Sequence, residues 1–464
     1  MTLLRKTITA LAFIAAVTGL QAQSMEKQRP NFIIYLGDDI GYEAFGTTGN
    51  EFAQTPHIDK LAEQGLVFDR FYGTVAQCFP IRAELFTGLF PERNGVYANG
   101  LRKDVPGLKD MGDYLSAQGY AVGVTGKTHF KTSKNMQRIW GIQSNCNASV
   151  DQFNLENIQS FIAESQAAGR PFCLFIGSMH AHHPWDLGTP QADGAERFPV
   201  PEHYVDTPAT RYYLNKHAAE VTVFDDQLAE LLAMMDASKI TEDTLLLVLS
   251  EQGIAMPRAK WSVYEKGNRS LLIAYWKDKI EPGRTNAIGQ FCDILPTMID
   301  YAGGENPGLD GFSFRPVLEG NKETHREFAY LANYQPTQQW AIIEDDWKLV
   351  WSPFPEKRHL QYFFTAKNRK NPEQSYAGYR KMFGHAWSEW KEAAKTDDLA
   401  QRKVEHVLHP NAFELYRIDQ DYNEWNNLAV HPEFNARIEG MLTKLQEITG
   451  DKEAVIKYLE SIKK

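Results

Sequence analysis

Apolar residues fall along this chain in short unbroken runs: Phe32 to Leu36, Ala121 to Thr125, Phe172 to Ile176, Leu245 to Leu249 and Leu271 to Tyr275. Each run is β-rich, lacks the in–out alternation of a half-exposed strand, and ends in polar residues or glycine. That is the pattern of parallel strands covered on both faces. Helical periodicity fills the gaps. Thr55-Pro56 opens one helix, because proline in a first turn forfeits no hydrogen bond, and Ile58, Leu61 and Ala62 give it an apolar face. Asp110 to Gln118 forms a second, stopped by Gly119, and Leu214 to Asp236 forms the longest. Strands alternating with helices predict an α/β fold, a mostly parallel sheet sandwiched by helices.

The pattern changes after Tyr334. Trp340 to Ile343 and Trp347 to Trp351 flank Glu344-Asp345-Asp346 as the two arms of a hairpin. An aromatic and charged stretch runs to about Pro410, followed by a strand at Phe413 to Arg417 and a closing helix. This predicts a smaller C-terminal α+β domain with a short antiparallel sheet, over 336–464, after a main domain over 24–335. Residues 1–23 read as a secretory signal: Arg5 and Lys6, an apolar stretch from Ile8 to Leu20, then small residues around Ala22. The stretch is shorter than the ~20 residues that cross a bilayer, and no other segment is a candidate span. The expected product is exported, to a periplasm or beyond.

The 464 residues are 43% hydrophobic and 23% charged, ample for a large core. The formal charge of −10 and a pI near 5.8 argue against a nucleic-acid partner, since no basic run of useful length occurs. An acidic chain that handles an anion must gather its cations locally. The four cysteines, Cys78, Cys146, Cys173 and Cys292, match no metal-knuckle spacing. Cys173 and Cys292 lie in apolar runs and read as core; Cys78 lies in a different setting.

In open α/β sheets ligands bind beyond the carboxyl ends of the strands. The first strand here ends in Asp38-Asp39, the next in Gly126-Lys127-Thr128-His129, the third in His180-Ala181-His182-His183-Pro184, and the fourth in Ser250-Glu251-Gln252-Gly253, with Lys260 shortly after. Asp38, Asp39, Glu251 and Gln252 offer hard oxygen donors, which suit calcium or magnesium better than zinc. Arg82, Lys127, His129, His182 and Lys260 supply positive charge. A rim of this composition would hold a tetrahedral oxyanion beside a divalent metal.

The segment Gln77-Cys78-Phe79-Pro80-Ile81-Arg82-Ala83-Glu84-Leu85-Phe86-Thr87-Gly88 resembles the signature of the formylglycine-dependent type I sulfatases, members of the alkaline phosphatase superfamily. There, Cys-x-Pro-x-Arg directs oxidation of the cysteine to formylglycine. Further matches run along the chain. Asn31 to Gly41 resembles the family's opening strand and metal-binding Asp-Asp, and Gly126 to His129 its Gly-Lys-Trp-His element. Ala181 to Pro184 resembles Pro-His-x-Pro, and Lys260 to Glu265 resembles Lys-Trp-Thr-x-Tyr-Glu. Glu414-Leu415-Tyr416 with Glu424 to Ala429 resembles the C-terminal motif. The resemblance implies a sulfuric ester hydrolase. Its one calcium would be held by Asp38, Asp39, Glu251, Gln252 and the modified Cys78, with Arg82, Lys127, His129, His182 and Lys260 as catalytic residues. It also implies a formylglycine-generating enzyme as maturation partner and a sulfated polysaccharide or oligosaccharide as substrate.

Two positions depart from the pattern: Ile81 stands where serine is usual, and Glu251-Gln252 replaces Asp followed by Asn or His. The run from Val200 to Arg211 is similar to the heparan N-sulfatase branch, from which Lys260 departs. Tyr376, Tyr379, Trp387 and Trp390 are candidates either for stacking on sugar rings or for packing. Two other readings of the same residues are a phosphomonoester or phosphonate hydrolase, and an inactive homologue that binds sulfated glycans.

Overall fold

A computed structural model describes residues 29–140, 154–191, 198–335, 338–355 and 377–449. The leader, Cys146 and Tyr376 lie outside these, as does the side chain of Tyr379. The described strands form a nine-stranded main sheet. Its order is Gly283–Thr285, Leu66–Tyr72, Arg269–Tyr275, Thr244–Leu249, Asn31–Leu36, Phe172–Gly177, Ala121–Gly126 and Gln137–Trp140, with Gly289–Gln290 also pairing to Leu66–Tyr72. The strand Asn31–Leu36 lies parallel to both neighbours, with Phe32 opposite Cys173 and Leu245. The expected parallel sheet is present with one correction. Arg269–Tyr275 runs antiparallel to Thr244–Leu249 and to Leu66–Tyr72. An apolar run is equally buried in either direction, so its composition carries no sign of polarity.

Alternate residues of the central strands feed two cores. Ile33, Tyr35, Leu246 and Val248 pack with Phe224, Leu228 and Leu231 of the helix Pro208–Ala237. The Tyr35 ring stacks on Phe224 at 4.5 Å, and its hydroxyl donates to the Phe224 carbonyl at 3.0 Å. Phe32, Ile34, Leu245 and Leu247 face the opposite way, toward Leu85 and Phe86 of Cys78–Thr87 and the helix Ile294–Tyr301. The strand Leu66–Tyr72 carries no apolar run because Asp69 and Arg70 interrupt it at a register shift between Phe68 and Phe71.

The predicted hairpin is Gln339–Glu344 paired with Trp347–Trp351. It forms the middle of a four-stranded antiparallel sheet flanked by Phe328–Asn333 and Phe413–Arg417. Its first strand lies ahead of residue 336. One face, with Trp340, Ile342 and Leu349, takes Met441 and Leu445 of the helix Asn435–Thr449. The other, with Ala341, Ile343, Val350 and Tyr416, packs on Tyr72, Val263 and Tyr264 of the main domain. Trp387 and Trp390 are buried in the core beside the long helix, where the Trp390 indole donates to Thr210 at 2.8 Å. Packing, not sugar stacking, explains both.

Candidate active site

Cys78 is the first residue of the helix Cys78–Thr87, and all ten residues of that helix are buried. An element apolar on every side shows no amphipathic stripe, so periodicity cannot reveal it. Gly88 ends it in the left-handed region, at φ 66°. Glu84 anchors it from beneath, accepting from the Thr74 amide at 2.9 Å and the Cys292 amide at 3.2 Å. Asn99, absent from the motif reading, holds the other end. Its side-chain amide donates to Cys78 Sγ at 3.4 Å, its Oδ1 accepts from the Phe79 amide at 3.1 Å, and its own amide donates to Gln77 Oε1 at 2.8 Å. A lone asparagine in a short hairpin gives no sequence signal of such a contact.

The strand ends deliver three buried carboxylates to one point. Oxygens of Asp38, Asp39 and Glu251 lie within 4.8 Å of one another. Four cationic or cation-capable side chains surround them. Lys127 pairs with Asp38, and Lys260 pairs with Asp39. Arg82 Nε lies 2.7 Å from Glu251 Oε1, its Nη2 lies 3.9 Å from Asp38, and its Nη1 donates to the Lys127 carbonyl. His182 Nε2 lies 4.0 Å from Asp39 Oδ2. Gln252 Nε2 donates to Asp39 Oδ1 at 2.5 Å. Cys78 stands one helical turn before Arg82 on the helix Cys78–Thr87. His129 lies against the helix Cys78–Thr87, its ring stacked on Phe79 at 5.3 Å. Asp39, His129 and Trp261 all have positive φ, at 56°, 45° and 65°. Non-glycine residues held in that region collect at functional sites because the surroundings must enforce them.

The electrostatics are uneven. Burial alone would push the Asp38 carboxyl up, but Lys127, His182 and Arg82 outweigh it and hold it well below the usual range. Asp39 is lowered in the same way, chiefly by Lys260 and His182 against its burial. Glu251 goes the other way. Burial, reinforced by Asp38, lifts it well above the ordinary carboxyl value despite Arg82. His182 is pushed down to about 3 by burial and Lys127, and its Nδ1–H donates to the His183 carbonyl at 2.7 Å.

The cluster suits a hard divalent cation. No amide, hydroxyl or cationic donor reaches buried Asp38 Oδ1, Glu251 Oε2 or Gln252 Oε1 among the described residues, and the Asp38 and Glu251 carboxyls approach each other instead. Buried polar oxygens without such donors are rare and costly, and three at one point form a donor set of the calcium type. Supporting contacts come from behind: His217 Nε2 bonds the Asp39 carbonyl at 2.8 Å, and the His180 carbonyl accepts from the Asp38 amide at 2.8 Å.

Comparison with known proteins identifies the family and the fold. A family model described as Sulfatase matches residues 30–304. The ulvan-active sulfatase of Formosa agariphila is 31% identical over 324 residues, covering 67% of this chain and 62% of the relative's length. Human arylsulfatase A is 26% identical over 68% of this chain and 72% of its own. A protein solved in complex with its substrate D-glucosamine-2-N,6-O-disulfate superposes with a TM-score of 0.63 at 17% identity, covering 91% of this chain and 99% of that one. The phosphonate monoester hydrolase of Agrobacterium radiobacter superposes with a TM-score of 0.62 at 15% identity, over 90% and 95% of the two chains. At such identities these two structures speak to the fold, which sulfate and phosphonate chemistry share.

Proposed function

The chain belongs to the sulfatase family, and from that premise we propose that it hydrolyses sulfate esters on a sulfated polysaccharide or oligosaccharide, using calcium and a formylglycine made from Cys78. The observation that carries the reading is the juxtaposition at the strand ends. Carboxylate and amide oxygens, three of which no donor reaches among the described residues, face Lys127, Lys260, His182 and Arg82, beside a cysteine in Cys-x-Pro-x-Arg at a helix start. Export and encounter with a formylglycine-generating enzyme complete the proposal, supported by the leader and by the same pentapeptide. The ulvan-active relative favours a sulfated glycan over a small metabolite.

Asp38, Asp39, Glu251, Gln252 and the modified residue 78 would hold the metal. When bound, metal and aldehyde hydrate together supply a low-pKa oxygen nucleophile and neutralise negative charge. The chain's own residues do the rest. Arg82 braces Glu251 and the Lys127 carbonyl, so the helix carrying residue 78 and the strand carrying Lys127 keep a fixed spacing. Lys127, Lys260 and His182 offer positive charge or donors to the sulfuryl oxygens, where charge builds in the transition state. The proton for the departing sugar oxygen comes from His182 or Lys260: the Nδ1 hydrogen of His182 is committed to the His183 carbonyl, which leaves its Nε2 to act, and Lys260 is paired with Asp39. His129, beside Phe79, is the base for release of sulfate.

The test is Cys78→Ala. Turnover of an aryl sulfate should vanish while the thermal unfolding midpoint stays that of the parent, and wild-type-like activity would end the proposal. Mass spectrometry of the peptide spanning residue 78, in protein from a host with the maturation enzyme, should show the aldehyde. An intact thiol there would favour a glycan-binding homologue instead. Parallel assays on aryl sulfate and aryl phosphate separate the sulfatase from a phosphoesterase on the same frame.

A further inference from the structure

Two cavities adjoin the candidate site, and their charges differ. One, of about 400 Å³, lies beside the Asp39 segment; Glu43, Glu51, His217 and Lys266 are among its lining residues, with Phe198 and Val221 in its apolar wall. Two carboxylates against one ammonium make it a poor host for an anion. The other, of about 490 Å³, lies on the nucleophile side, with Phe79, Arg102, His129, Phe130, Lys131 and Arg138 in its wall. No acidic side chain lines it among the described residues. Arg102 and Lys131 are exposed and Arg138 is half-buried, so this groove of a chain whose formal charge is −10 presents three permanent cations to an incoming anion.

The groove is built onto the site. Phe79 and Gly100 line it and directly follow Cys78 and Asn99, which contact each other at 3.4 Å. Phe79 stacks on His129, so one aromatic wall is common to groove and site. Arg102 is carried by the short strand Leu101–Arg102, which pairs with Val96–Ala98 and so keeps a fixed relation to Asn99. Arg138 belongs to the strand Gln137–Trp140 of the main sheet. Its Nη1 is buried and makes no hydrogen bond among the described residues. A guanidinium nitrogen in that condition is a donor awaiting an acceptor.

We propose that this groove, lined by Arg102, Lys131 and Arg138, binds a second anionic group of the substrate, on the same sugar as the scissile sulfate or the next one, with Phe79 and Phe130 as an apolar wall for the ring. The inference deepens the sulfatase reading and rests on it. It restricts the substrate to multiply anionic glycans, in which the second anion is either a uronate carboxylate or a further sulfate.

The experiment compares mature wild-type protein with Arg138→Gln and Arg102→Ala on two substrates: an anionic sulfated oligosaccharide and a small aryl sulfate. For the oligosaccharide, kcat/KM should fall about tenfold for each guanidinium removed, almost entirely through KM. The ratio of the two substrates' kcat/KM values should fall by the same factor. Equal losses on both substrates would overturn the groove. Binding by calorimetry to the Cys78→Ala protein gives an answer independent of turnover, so a failed sulfatase assay and a failed groove remain distinguishable. Carboxyl-reduced and partly desulfated versions of the same oligosaccharide form its two arms. Weakened binding of one version identifies the second anion, and undiminished binding of both refutes the proposal.

Discussion

Two of the buried charge clusters among the described residues are built to opposite ends. The first is the rim of Asp38, Asp39 and Glu251 with its four cationic or cation-capable neighbours. The second joins the main domain to the C-terminal sheet. There Lys348 lies 3.1 Å from Glu265 Oε1 and 2.8 Å from Glu424 Oε1, Tyr72 donates to Glu265 Oε2 at 3.2 Å, and the Glu265 amide donates to Glu424 Oε2 at 2.9 Å. Glu414 accepts from Asn411, Tyr264 and Tyr416 at 2.9 to 3.0 Å. Counting ion pairs as well as hydrogen bonds, every carboxylate oxygen of the second cluster meets a donor, Glu424 Oε1 through Lys348 alone, whereas Asp38 Oδ1 and Glu251 Oε2 meet none among the described residues. Satisfied buried charge holds a structure in one arrangement, whereas several buried oxygens left incomplete at one point have room for a ligand.

The comparison is broken most directly at Lys348. Lys348→Met leaves Glu265 and Glu424 buried around a missing cation, and stability should fall by about 3–5 kcal/mol in urea unfolding. A loss below about 1 kcal/mol would mean that the interdomain cluster is no clamp. Calcium tests the other cluster. After chelation, adding calcium at a hundred times its Kd should raise stability by about 2.7 kcal/mol. Glu251→Gln should lose most of that gain, and Lys348→Met should retain it. A gain insensitive to Glu251 would place the ion elsewhere.

The same contrast explains what could be read in advance. The strands that carry the rim are continuous apolar runs, and the polar residues after them mark their carboxyl ends, so Asp38, Lys127, His182 and Glu251 were legible from position alone. The family motifs were legible too, but motif membership does not separate chemistry from scaffolding. Glu265, Glu414 and Glu424 belong to motif segments as surely as Lys260 does, yet they stand in the clamp. Asn99 escaped because its role depends on a tertiary contact with Cys78. Leu66–Tyr72 escaped because Asp69 and Arg70 serve surface contacts in mid-strand, Arg284 pairing with Asp69. The antiparallel direction of Arg269–Tyr275 follows because the connection from Ser250 to Asn268 stays at the carboxyl end of Thr244–Leu249 and does not cross back over the sheet, and no composition rule encodes that.

The smallest effect concerns how the clamp responds to acid. His406 packs its ring on Tyr264 at 6.0 Å and on Trp425 at 5.4 Å, with its Nε2 3.5 Å from the Tyr416 hydroxyl. Glu414, 3.9 Å away, would favour its proton, but burial and the Arg258 guanidinium outweigh that and push it down to about 2. The folded chain therefore keeps this imidazole neutral where the unfolded chain, at an ordinary value near 6.5, takes up a proton. Stability from this group is complete above pH 6.5 and is lost as pH falls, at up to about 1.4 kcal/mol per pH unit. His182, pushed down to about 3 within the rim, adds loss of the same sign. Unfolding free energies measured between pH 6 and pH 4 should thus have a slope smaller by close to one proton in His406→Gln than in the parent. An unchanged slope would mean that His406 is protonated in the folded clamp, with Glu414 rather than Arg258 governing its charge.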